Sequence, residues 1–233
     1  MLSKFEAHHR MIRQNRWYWY FYILCRLSLA FGFFAAGMVK IVGERFASGL
    51  SIVHPMGAYL EALHHTGYYY TFIGVAQILA AVLLIIPRTV TLGALVYLPI
   101  IVNIWILSFA VRFDGSYMTA PLMTFANIYI LVWNYDRLKY ILPLKIVPSY
   151  NLIQKPAKWN NRFPFLFFSG VALVFVIVVL RFALFHDIMP RNSVKDCRQQ
   201  FIGKDNQKAG FEFCDCIHNQ GGSLDHCLEL LED

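Results

Sequence analysis

Five apolar runs, near residues 17–39, 68–87, 90–111, 118–135 and 163–185, constrain this chain more than any motif in it. Each approaches the roughly 20 residues with which an α-helix crosses a bilayer. A soluble chain of 233 residues would form one or two domains, yet 58% hydrophobic and 16% aromatic residues exceed what a core of that size uses. The expected class is therefore an all-α membrane protein with five spans. Pro87-Arg88-Thr89 joins the second and third so briefly that they must be antiparallel neighbours, and Asp114-Gly115 is a turn signal between the third and fourth.

The formal charge of +7 is distributed as a membrane protein distributes it. Lys4, Arg10, Arg13, Arg16, Arg88, Arg137, Lys139, Lys145, Lys155, Lys158 and Arg162 flank one side of the spans, against Lys40, Arg45 and Arg112 on the other. That bias puts the N-terminus in the cytoplasm and, after five crossings, the C-terminus outside. It leaves no basic patch for nucleic acid. The start reads as a retained signal anchor, because the apolar run is followed by Gly43-Glu44-Arg45 instead of a cleavage site. Trp17 through Tyr22 would sit at the headgroups.

The connections divide the chain. Residues 1–142 read as a four-helix membrane bundle, 143–162 as a cytoplasmic linker with Pro143, Pro148 and Pro156, 163–185 as a fifth spanning helix, and 186–233 as an extracytoplasmic tail. Between the first two spans, Pro55 suits a first helical turn, with Met56, Tyr59, Leu60 and Leu63 following at helical spacing until Gly67. In the tail, Gly203 and Gly221-Gly222 break two or three short helices, too small a unit to hold a core without staples.

Cys197, Cys214, Cys216 and Cys227 all fall in that tail, whereas Cys25 lies in the first span. An even set in an oxidising compartment favours two disulfides of open connectivity. Zinc ligation, with His218 or His226 as alternates, and a redox-active Cys214-Asp215-Cys216 are the competing readings.

Candidate binding residues are the polar groups inside or at the ends of spans. Arg26 sits a third of the way into the first span and needs a partner; an anion or a quinone headgroup competes with snorkelling or a buried amide. Gln77, Asn103 and Asn127 place one amide in each of the next three spans, either as a polar centre or as interhelical glue. Lys40, Glu44 and Arg45 at the outer end of the first span, with Arg112 and Asp114 at the outer end of the third, would form a charged network. His54, His64, His65 and Glu61 do not match a metal motif, and neither a metal nor a catalytic residue is assigned.

Arg26 in the first span, Gly37-Met38-Val39-Lys40 at its end, Ile86-Pro87-Arg88 after the second span, and the stretches 43–46, 86–104 and 131–139 together resemble the DoxX-like family of bacterial membrane proteins. The resemblance covers about residues 20–142 and leaves the fifth span and tail outside it. It implies a bundle in the bacterial inner membrane, in a family where some members are associated with quinone-linked oxidation. Two functions are weighed on this basis. One is an accessory or scaffold subunit that presents the stapled tail to envelope or inner-membrane protein partners; the other is a quinone-linked oxidoreductase subunit. A solute transporter fits less well, since there is no paired repeat of broken helices.

Overall fold

The computed structural model describes residues 2–141, 156, 158–184 and 187–231. Most of the expected linker, residues 143–155 and 157, lies outside the described residues. All the regular elements described are helical, with one isolated bridge between Asn15 and Asn160.

The basic N-terminal segment is a helix, α1 (Leu2–Arg13). The long α2 (Arg16–Val42) follows, capped by the Asn15 side chain, which accepts from Trp17 N at 2.9 Å. Gly43 ends it in the left-handed region at φ 86°, donating its N–H to Lys40 O. The connection then forms α3 (Pro55–His64), which has proline in its first turn. Met56 and Leu60 are buried with Leu50 and Phe113, while Tyr59 faces out. Gly67 stands at the start of the next helix, not at the end of α3, which closes at His65.

Helices α4 (Tyr68–Ile85), α5 (Val90–Ala110), α6 (Asp114–Tyr117) and α7 (Thr119–Trp133) complete a bundle in which α2 packs on α4, α4 on α5, α5 on α7, and α7 back on α2. The α2–α4 contact is the most extensive of these, and it depends on two glycines. A Cβ on Gly37 would stand 2.8 Å from Gly74 O, and one on Gly74 the same distance from Gly37 O. Small residues let membrane helices gain dispersion contact where apolar side chains gain nothing over lipid. The core is aromatic and aliphatic: Phe33 stacks on Tyr97 at 3.5 Å, and Tyr22 on Trp133 at 5.1 Å.

Helix α8 (Tyr135–Ile141) continues from α7, and α9 (Phe165–Leu184) lies along the outside with no residue buried. Phe167 meets Tyr18 at one end of α9, and Phe182 meets Tyr117 at the other. Four described helices, α2, α4, α5 and α9, are long and apolar enough to cross a membrane. The fourth expected span is shorter than its apolar run: α7 has 15 residues, about 22 Å at 1.5 Å per residue. It still runs from end to end of the bundle, since Tyr117 before it stacks on Phe109, while Trp133 at its far end stacks on Tyr22.

The tail folds into a small cap of α10 (Val194–Gln199), α11 (Gln207–Asp215), a π-turn at Cys216–Gln220 and α12 (Leu224–Glu229). Gly203 and Gly221 adopt positive φ at the expected breaks. Cys197 pairs with Cys214 and Cys216 with Cys227, and all four sit in a core with Phe201, Phe213 and Ile217. A Cβ on Gly222 would lie within 2.7 Å of both sulfurs of the second disulfide, so the turn closes over that bond.

Candidate functional site

The bundle has two chemically different ends. At the N-terminal end, Arg13 pairs with Asp136 at 2.8 Å, His9 Nε2 lies 2.9 Å from Val132 O, and Asn15 Nδ2 donates to Arg162 O at 2.7 Å. Burial lowers the pKa of His9. Arg137 reaches the Pro87 and Arg88 carbonyls. Arg26 is buried just inside this end; its Nε donates to Leu84 O at 2.9 Å and a terminal nitrogen to Ile85 O at 2.8 Å, with the guanidinium 5.3 Å from the Tyr22 ring. Its partners are backbone carbonyls, not the side-chain amides of Gln77, Asn103 or Asn127. A cation here satisfies the last carbonyls of α4 and complements the negative end of its dipole.

Gln77 and Asn127 are both buried in the interior, but Asn103 is exposed on the outside of α5. Counted from the N-terminal-end termini of α4, α5 and α7, Gln77, Tyr97 and Asn127 all lie about 9–12 Å into the bundle at 1.5 Å per residue. Asn127 Nδ2 donates to Ala94 O at 3.0 Å. Gln77 Oε1, Asn127 Oδ1 and Tyr97 Oη are buried without a hydrogen-bond partner. Tyr97 is a member of this layer that the amide pattern did not point to; its place on the Ala94–Tyr97–Ile101 stripe is the signal that would have found it. Buried polar atoms left unpaired cost about 1–3 kcal/mol each, so the layer is a place where a polar group or water would be stabilised.

At the other end, the expected charged network separates into independent contacts. Lys40 Nζ is buried, donating to Ala36 O at 3.0 Å and facing the Phe46 ring at 4.6 Å. Arg45 pairs with Glu61 at 3.1 Å and donates to Ser48 O at 2.9 Å, holding the α2–α3 connection to α3. The Glu44 side chain is exposed, and its carbonyl accepts from Tyr70 Oη at 2.9 Å. Arg112 donates to Ile188 O at 3.0 Å, and burial lowers its pKa. Asp114 pairs with Arg191 at 3.3 Å. The network comes apart because Arg112 and Asp114 are committed to the tail, and Lys40 to aromatic faces.

The cap thus sits on this end through the strap Ile188–Ser193. Two open clefts flank the strap. One, of about 410 Å³, is lined by Asp114, Arg191, Asp196 and Gln200; the other, of about 640 Å³, by Arg45, Ser51, Asn192, His218 and Asn219. Beneath the strap His54 and His218, both buried, place their ring centroids 5.4 Å apart. Burial first, and then His218, push the pKa of His54 down to about 4, opposed by a backbone hydrogen bond at Arg191. Of the other histidines weighed above, His64 lies 3.0 Å from Gly43 O and His65 lies 3.6 Å from Glu61. Among the described residues no group of three or more His, Cys, Asp or Glu is placed to hold a metal ion. Arg191 and Asn192 were not singled out, and His218 was weighed only as an alternate zinc ligand; the signal for the first two is the short polar strap between an apolar helix and the first tail cysteine.

Fold and site together define a helical membrane-type bundle that carries a disulfide-stapled cap on the end opposite its N-terminus. No family model matches the chain, and no solved structure matches it. The "Uncharacterized protein YwoB" of Bacillus subtilis (strain 168) is 38% identical over 121 residues, which is 50% of this chain and 77% of that protein. The chain belongs to the same family as that protein.

Proposed function

We propose that the protein is an integral, DoxX-like protein of the bacterial inner (cytoplasmic) membrane that acts as an accessory or scaffold subunit, presenting its cap to extracytoplasmic protein partners. In this reading α7 is the fourth of five crossings, completed by α6 and α8, and the cap lies outside. The observation that carries it is the cap itself. It has a separate core, two buried disulfides of the kind that persist in oxidising compartments, and a seat opposite the basic N-terminal end. The two polar clefts beside the strap are the surfaces a partner would meet.

Photo-crosslinkers introduced at Asn192 and Asn219 test this in native membranes. The expected result is a discrete adduct with an envelope protein, which also copurifies with the intact chain and is lost on deleting residues 186–233. Unchanged copurification of every envelope protein after that deletion would overturn the reading.

The quinone-linked alternative keeps one supporting observation, the unpartnered layer of Gln77, Tyr97 and Asn127. The tail cysteines do not help it, since all four are buried in disulfides. Lipid extraction of the purified protein distinguishes the two: stoichiometric quinone, lost on substituting Asn127, favours the oxidoreductase subunit.

A further inference from the structure

The joint between cap and bundle has a hydrogen-bond pattern that fixes the neutral tautomer of both histidines. His54 is the N-cap of α3, and its Nδ1 accepts from Met56 N at 3.1 Å. In the neutral ring the proton is therefore on Nε2, and the backbone bond to Arg191 engages this side of the joint. His218 Nε2 lies 2.8 Å from Pro190 O, an atom that only accepts, so its proton is on Nε2 as well. Two consecutive strap residues are thus held between an imidazole of the bundle's α2–α3 connection and one of the cap.

We propose that His54 and His218 form an acid-released latch: with both rings neutral the cap stays docked on the bundle, and protonation of His54 undocks it. This deepens the function proposed above by naming what regulates the presented cap, and it rests on that reading only for its biological direction.

The reason is stereochemical. A second proton on His54 has one place to go, Nδ1, and that atom already accepts the Met56 N–H. The imidazolium would set N–H against N–H at the helix cap in either state, but only in the docked state would it also put a positive charge in a buried site beside His218, and undocking relieves that cost. The charged groups facing this joint are mostly cations with partners of their own. Arg45 on the connection is paired to Glu61, Arg191 on the strap to Asp114, and Arg112 at the end of α5 to a carbonyl. In the cap, Asp215 is partly exposed and held by Asn219 and Gln220. None of the influences on His54 comes from a carboxylate.

The sign follows from linkage. The docked state holds His54 at about 4 against an ordinary 6.5, so it binds fewer protons than the undocked state. Docking is at full strength above about pH 6.5, weakens as pH falls through it, and levels off near 4, by on the order of a hundredfold in the docking equilibrium.

Distance measurements by pulsed electron resonance on the full chain in lipid nanodiscs test the latch. Spin labels carried on unnatural amino acids would replace Tyr68 and Ile202, both exposed. The wild-type chain is expected to give one distance at about pH 7.5 and a second, longer one at about pH 4.5, with a midpoint between. His54→Asn keeps an acceptor at the helix cap but takes up no proton, so it should give the docked distance at both pH values. Asp114→Asn, which removes the other acid-sensitive contact of the strap, should retain the response.

A single distance at both pH values in the wild-type chain overturns the latch. So does His54→Asn releasing as the wild type does, or Asp114→Asn abolishing the response while His54→Asn leaves it. Should His54→Asn already be undocked at neutral pH, His54→Ser replaces it; undocking of both overturns the latch, which assigns the neutral ring no role those acceptors cannot fill. The measurement needs neither a partner nor a membrane orientation. Its failure leaves the proposed scaffold function standing, and failure of the crosslinking test leaves the latch standing.

Discussion

The bundle and the cap solve the problem of holding helices together by opposite means. In the bundle, α2 and α4 approach until Gly37 and Gly74 nearly touch, and several interior polar atoms are left unpaired. In the cap, helices of six to nine residues surround eight buried apolar side chains, and two disulfides supply what so small a core lacks. The difference teaches where each part keeps its stability. The bundle depends on shape, the cap on covalent closure, and each should fail to a different insult.

The largest expected effect is on the cap alone. Cys216→Ser with Cys227→Ser should destabilise it by about 2–5 kcal/mol, exposing residues 194–229 to proteolysis while helical circular dichroism of the bundle persists. If bundle and cap melted together, the comparison would break. Gly37→Leu is the converse insult. The side chain would meet Gly74 O and Ile78 in the α2–α4 crossing, costing about 1–3 kcal/mol in a denaturation of the bundle in detergent and leaving the cap's protease resistance intact.

Ser193→Ala should cost the cap about 1 kcal/mol, because Ser193 Oγ accepts from Asp196 N at the start of α10; hydrogen exchange in residues 194–199 reads it. The smallest effect belongs to Asn127→Leu. It removes one hydrogen bond to Ala94 O but also an orphaned oxygen, so bundle stability should change by less than about 1 kcal/mol. A larger loss would mean that the interior layer is organised around a bound polar group.

Much of this architecture was legible in the chain because its signals are local. Proline in the first turn of α3, the glycine breaks of the cap and the short Pro87-Arg88-Thr89 connection each follow from backbone preferences over a few residues. What escaped reading depends on phase or on long separation. Asn103 looks equivalent to Gln77 and Asn127 along the chain, but it stands two residues after the inward Ile101, about 200° around the helix, and so faces out. Arg26 finds its carbonyls 58 and 59 positions away, at the end of another helix. The pairing of Cys214 and Cys216 with different partners depends on α10 packing on α11 and α12 on the π-turn that follows it. His54 and His218 are 164 positions apart, and only the docked cap brings them together.

The account rests on the cap and the N-terminal helix lying on opposite sides of one membrane. Met11 and Ile202 are equally suited to test it, being 61% and 65% exposed on α1 and the cap. Met11→Cys and Ile202→Cys, labelled in intact cells with a membrane-impermeant maleimide and again after lysis, should give label on Cys-substituted position 202 in both conditions and on position 11 only after lysis. Equal labelling of the two positions in intact cells, or labelling of neither until lysis, would contradict it.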